Sequence, residues 1–139
     1  MKIVALDPGV TTGWASRARD RYSTRQIIGE HHVELWDALY NFEPQVVVCE
    51  RFTYQRRDKV ILKSVEYIGV VTLYCEQYGA NLVMQTPSQA KNLWTDTKLK
   101  LVEQYKPNQP HANDAMRHLL YYETVYMKEM KWVNLLKAE

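Results

Sequence analysis

Among the 16 acidic residues and 4 histidines of this sequence, four stand where element ends could bring them together on a divalent cation: Asp7, Glu50, His111 and Asp114. Asp7 closes the apolar run KIVAL (2–6), and Glu50 closes the apolar run VVVC (46–49). Unbroken apolar runs of this length read as buried strands. Sites in open α/β sheets gather outside the carboxyl ends of the strands. If the two strands are neighbours, their terminal carboxylates face one another at roughly strand spacing, about 5 Å. Two anions so close, at the edge of an apolar sheet, repel and are poorly solvated. A hard, oxygen-seeking cation between them, Mg²⁺ or Mn²⁺, relieves both problems. His111 and Asp114 lie three apart in the first turn of a helix that Pro110 is well suited to open, so they share a face. Singly, each residue has an ordinary alternative: Asp7 a strand-end cap, Glu50 an ion-pair partner, Asp114 a helix-dipole residue, His111 a capping or surface histidine. Together, at the ends of three separate elements, they specify a metal centre.

The elements that must position this set follow from the pattern. After the first strand, Pro8 and Gly9 break the chain. Residues 12–18 (TGWASRA) and 25–28 (RQII) read as two short strands around a polar turn. Val33, Leu35, Trp36, Leu39 and Tyr40 suit a helix over 32–42, which Pro44 stops. VVVC has the two-sided apolar character of a parallel strand. Residues 59–78 form the longest helix, apolar nearly all round and ended by Gly79. One side covers the sheet; the other meets either a second subunit, with Gly69 permitting close approach, or another helix of this chain. NLVMQ (81–85) is a third parallel-type strand. Short helices are expected at about 88–94 and 97–105, and a last helix over about 110–130. The tail KWVNLLKAE is apolar enough to close the core or join an interface. The order specifies one α/β domain over 1–139, a mixed sheet with helices on both faces.

Composition agrees. With 139 residues, 46% hydrophobic and 24% charged, the chain is of single-domain size and unlike a disordered one. No apolar run reaches the ~18 residues of a membrane span. MKIVALDPG turns acidic too early for a signal peptide. Cys49 and Cys75 make neither a disulfide framework nor a zinc spacing, so a reducing, cytoplasmic setting is expected. The net charge of +2 is concentrated. Arg17 to Arg25 carries a net +3, and Arg51 to Lys63 a net +4, as nucleic-acid footprints or as solvated surface.

DPGVTTGWA after the first strand, VVVCERF at the second, and PHANDAMRHLL at the last helix resemble the RuvC-type Holliday junction resolvases of the RNase H-like superfamily. The resemblance runs from about residue 1 to 126. It implies an RNase H-like fold with a mixed five-stranded sheet. It also implies a metal-dependent endonuclease that resolves branched DNA by two-ion hydrolysis and leaves 5′-phosphates. Its metal positions carry over to Asp7, Glu50 and Asp114, with His111 in the fourth place, a nitrogen ligand that makes Mn²⁺ more tolerable. Its catalytic lysines correspond to Lys91 and Lys98, with Lys100 competing for the second place. Its base-stacking aromatic falls at Thr53, so the wedge is assigned to a neighbour, Phe52 or Tyr54. Arg56, Arg57, Lys59 and Lys63 would track the DNA backbone. The resemblance implies a twofold homodimer through 59–78, matching the junction's two equivalent strands, and the short chain suits a phage-encoded form in a bacterial or infected-host cytoplasm.

Three other readings compete. An actin-like ATPase shares the DPGVTTG type of loop but needs two such domains. A YqgF-type RNA nuclease shares the DPG turn but usually lacks an acid where Glu50 stands. A non-catalytic binder of branched DNA has no use for clustered carboxylates, which are costly to hold together.

Overall fold

The computed structural model describes residues 1–52 and 60–138. Tyr54, Arg56, Arg57 and Lys59, named above for DNA contact, lie outside the described residues. Five strands form one sheet: β1 (Lys2–Asp7), β2 (Thr12–Ala18), β3 (Arg21–Ile27), β4 (Val46–Glu50) and β5 (Asn81–Gln85), in the order β3-β2-β1-β4-β5. β1 pairs antiparallel with β2 and parallel with β4, and β4 pairs parallel with β5. Helices α1 (His32–Phe42) and α2 (Val60–Tyr78) cover one face. Helices α3 (Pro87–Leu93), α4 (Asp96–Leu101), α5 (Pro110–Tyr121) and α6 (Met130–Lys137) belong to the other side.

The strand pleat divides the core. Val4, Leu6, Val47 and Cys49 join Leu35, Leu39, Tyr67 and Val71 on the α1/α2 face. Ile3, Ala5, Val46 and Val48 join Trp94, Leu99, Met116 and Leu119 on the α5 face. Side chains alternate along a strand. Asp7 therefore follows Ala5, and Glu50 follows Val48, onto the α5 face.

Three boundaries differ from the sequence expectation. β3 begins at Arg21 rather than 25, because RYSTRQI alternates in and out along the sheet edge and reads as polar. The hairpin turns instead at Arg19, which takes the left-handed conformation (φ 58°). The helix expected over 97–105 ends at Leu101, and Glu103 (φ 62°) turns the chain. The helix expected to reach 130 ends at Tyr121 and loosens into a π-helical turn, Tyr122–Tyr126. There Glu123 is buried and accepts from the Tyr22 hydroxyl and from Trp132 Nε1 (2.9 Å). Lys128 (φ 52°) then reverses the chain into α6, whose Trp132, Leu135 and Leu136 pack on the α5-side core. The tail thus closes the core. Arg17, counted above with a basic patch, pairs with Glu123 (3.3 Å) and Glu129 in this network. Among the described residues no helix is long and apolar enough to cross a membrane.

Candidate active site

One row of the sheet builds the site. Gln26 pairs with Gly13, and Gly13 with Asp7. Leu6 pairs with Cys49, so Glu50 stands beside Asp7 one step on, and Glu50 pairs with Gln85. Helix α5 crosses this row. A Cβ on Gly13 would lie 1.8 Å from the His111 carbonyl oxygen, so only glycine lets the helix come down onto the sheet here. Gln26 Oε1 receives the amides of His111 (3.1 Å) and Ala112 (3.4 Å). That side chain satisfies donors a helix start leaves open.

The contact delivers His111, Asp114 and His118, which lie on one side of α5. His111 Nδ1 is 3.2 Å from Asp7 Oδ2. Asp7 is buried, and burial together with the neighbouring Glu50 carboxylate pushes its carboxyl up to about 8. Glu50 moves the other way: burial opposes its charge, but hydrogen bonds from His118 and Asp7 hold it down to about 2. The pair therefore favours holding one proton, on the Asp7 side, over carrying two charges side by side. The hydrogen bond to Asp7 raises His111, and burial raises Asp114 against the pull of Lys91.

Asp114 sits between two cations. Lys91 Nζ is 3.8 Å from Oδ2, and Arg117 Nη1 donates to Oδ1 at 2.6 Å. Arg117 is itself buried, donating through Nε to the Trp94 carbonyl (2.8 Å) and pairing with Asp96.

Asp7, Glu50, His111, Asp114 and Lys91 are thus brought together. Lys98 donates to the Leu93 carbonyl (3.0 Å), and Lys100 lies over the Tyr105 ring. Lys63, assigned above to DNA, is paired with Glu30 (2.7 Å) and Glu66 (3.7 Å). Phe52 is half-buried just after β4. Three residues went unnoticed in the sequence: Arg117, His118 and Gln85. His118 lies four positions beyond Asp114 on the same helix side, and Gln85 ends β5 as Glu50 ends β4; that repeat of position is the signal available in the sequence.

Among the described residues, no group of three or more His, Cys, Asp or Glu side chains is placed close enough together to hold a metal ion. The donor chemistry fits a divalent ion even so: carboxylate oxygens and one imidazole, with two carboxyls close enough to share a proton.

No protein-family model and no curated protein sequence matches the chain. Solved structures do. Thermus thermophilus RuvC in complex with a Holliday junction substrate superposes with a TM-score of 0.73 at 17% identity, over 91% of this chain and 96% of that one. The chain has the RuvC resolvase fold. The fowlpox virus resolvase, solved with Holliday junction DNA, gives a TM-score of 0.58 at 14% identity over 90% and 99% of the two chains. The yeast mitochondrial Holliday junction resolvase gives 0.58 at 14% identity over 98% and 80%. The overall fold of this chain is therefore shared with a bacterial, a viral and a mitochondrial resolvase. In this RuvC fold the helix crossing the sheet row is the element that closes the acidic site.

Proposed function

We propose that the protein is a metal-dependent endonuclease that cuts Holliday junctions and related branched DNA. The observation that carries this reading is the Asp7–Glu50 carboxyl pair at the strand ends, faced by His111 and Asp114 from α5. Its setting in the resolvase fold supports a junction substrate. Asp7, Glu50 and Asp114 would hold two Mg²⁺ or Mn²⁺ ions, with His111 acting as a further ligand or orienting the attacking water. Bound there, such ions activate water and neutralise the leaving oxygen, giving 5′-phosphate ends. Lys91, on the rim beside Asp114, would meet the charge that builds on the phosphate. Lys98 and Lys100 on α4, with the basic 56–59 segment, would hold the DNA backbone, and Phe52 or Tyr54 would stack on a base.

A second copy of the chain fits α2. Leu62, Val65, Gly69 and Leu73 are exposed at spacings of three and four, an apolar stripe on the side away from the sheet. A twofold pairing along it would present two sites to the two equivalent junction strands.

The test is cleavage of labelled four-way junction, flap, linear duplex and RNA–DNA hybrid with Mg²⁺, Mn²⁺ or EDTA. Paired symmetric nicks on the junction, lost in EDTA, are expected. Cutting of RNA alone, or binding without cutting in either metal, overturns the reading. Sedimentation at micromolar concentration is expected to give a dimer, and Val65→Asp a monomer; a wild-type monomer removes the α2 interface.

A further inference from the structure

Glu50 is tied to a buried histidine that the proposed chemistry does not use. His118 lies one turn beyond Asp114 on α5 and is 1% exposed. Its Nε2 is 3.3 Å from Glu50 Oε1, and its Nδ1 is 2.8 Å from Gln85 Oε1. Gln85 is also 1% exposed and stands in register with Glu50 on the adjacent strand. A carboxylate can only accept, so Nε2–H donates to Glu50; with the ring proton there, Nδ1 accepts from the Gln85 side-chain amide, turned so that its NH2 faces the ring. The ring is gripped from its far side by Gln85, and the contact links β4, β5 and α5.

This arrangement is poorly explained by stability. Buried polar groups cost free energy unless fully paired. Whichever way its amide is turned, one polar atom of Gln85 is buried with no hydrogen-bond partner among the described residues. Apolar side chains at 85 and 118 would extend the surrounding core of Val48, Trp94 and Met116 without that cost. What the polar trio does supply is a fixed direction for one carboxylate oxygen. Outer partners of this kind orient ligands and tune metal affinity.

We propose that His118, held by Gln85, is a positioning residue that fixes the Glu50 carboxylate in the orientation needed to bind a divalent cation. The inference rests on the metal-dependent reading above. One lone pair of Glu50 is engaged by Nε2–H, which restricts the side-chain torsions of the carboxylate.

The test compares wild type with His118→Phe, which keeps an aromatic ring and removes both nitrogens, and His118→Gln, which restores a donor. Mn²⁺ uptake is read without DNA, from loss of the free-ion electron paramagnetic resonance signal. Junction cleavage is titrated with Mg²⁺ in parallel. His118→Phe is expected to weaken Mn²⁺ binding roughly 10–100-fold. It should raise the half-saturating Mg²⁺ concentration more than it lowers the rate at saturating Mg²⁺. Junction affinity in EDTA should stay unchanged, and His118→Gln should recover much of the loss. If His118→Phe does not fold, Gln85→Met, which frees the ring from its far support, should shift Mn²⁺ affinity in the same direction by a smaller factor. Wild-type Mn²⁺ affinity in the folded His118→Phe or Gln85→Met protein overturns this inference alone. Absence of Mn²⁺ uptake by wild type would instead overturn the metal-dependent reading, and this inference with it.

Discussion

The two faces of the sheet are made on different principles. The α1/α2 face is apolar inside, with Val4, Leu6, Val47 and Cys49 against Leu35, Leu39, Tyr67 and Val71, and α2 carries a second apolar stripe outside. The α5 face begins in the same way, with Ile3, Ala5, Val46 and Val48. At the carboxyl ends of the strands it turns to Gln26, Asp7, Glu50 and Gln85, beneath His111, Asp114, Arg117 and His118. Burial of apolar area drives folding, so the first face accounts for stability without further help. The second gathers carboxyls where water solvates them poorly, which weakens the metal-free fold and prepares the site for cations. The contrast predicts that changes at the polar row alter chemistry first, and changes on the α1/α2 side alter stability and association.

The largest effect is expected at Asp7. Asp7→Asn should lower junction cleavage by at least about 10²–10³-fold, the scale of losing one charge-stabilising group at a reacting centre. Junction binding in EDTA should persist. A variant that cuts at the wild-type rate would dissolve the distinction between the two faces.

Gly13 and Gly69 sharpen the comparison, one on each side. Gly13→Ala must displace the His111 carbonyl, so α5 lifts from the sheet row. A loss of about 1–3 kcal/mol in unfolding free energy is expected, the range for overpacking, together with loss of cleavage. Chemical denaturation and the junction assay check both. A Gly13→Ala protein as stable and active as wild type would show that α5 does not need this contact.

Much of this was legible in the sequence, and the reasons are local. β1, β4 and β5 announce themselves because both their faces are covered, which leaves apolar runs unbroken. Asp7, Glu50, His111 and Asp114 stand out because they end or begin elements, where chemistry-bearing residues interrupt a pattern. β3 does not, because an edge strand with one face in water alternates polar residues that read equally as a turn. The end of α5 is hidden because its period runs on into 122–130; what breaks it is Glu123, drawn inward by Tyr22, Arg17 and Trp132 from distant parts of the chain. Arg117 and His118 interrupt an otherwise apolar helix face and Gln85 ends β5, but their partners come from other elements, so the spacing hints at them and only the folded chain joins them. The four-way assembly of Asp7, Glu50, His111 and Asp114 depends in turn on Gly13, whose role no spacing reveals.

A smaller effect concerns pH in the metal-free protein. Asp7 is raised from 3.8 to about 8, and Glu50 is lowered from 4.5 to about 2. Between roughly pH 4.5 and 8 the folded pair holds one proton that the unfolded chain has released, so stability falls as pH rises through this window. Below it, Glu50 gives up its stabilising contribution as it protonates toward pH 2. In EDTA, unfolding free energy should therefore peak near pH 4–5 and decline toward pH 8. Asp7→Asn should remove most of the decline, leaving the smaller part contributed by the raised Asp114 carboxyl. Denaturation series in EDTA at successive pH values give the comparison, and a flat wild-type curve would mean that the carboxyls do not share a proton.

The smallest effect separates stability from association on the α2 side. A Cβ on Gly69 meets no atom of the described residues within 4 Å. Gly69→Ala should therefore stabilise the helix by about 0.5–1 kcal/mol, because glycine in a helix interior loses more conformational freedom than alanine. If two copies meet along Leu62, Val65, Gly69 and Leu73, the same methyl group holds the helices apart. The dimer dissociation constant should then rise while the monomer becomes harder to unfold. Sedimentation and denaturation on one preparation would read these opposite signs together. A variant that is both more stable and equally dimeric would leave α2 as a folding element and move the interface away from Gly69.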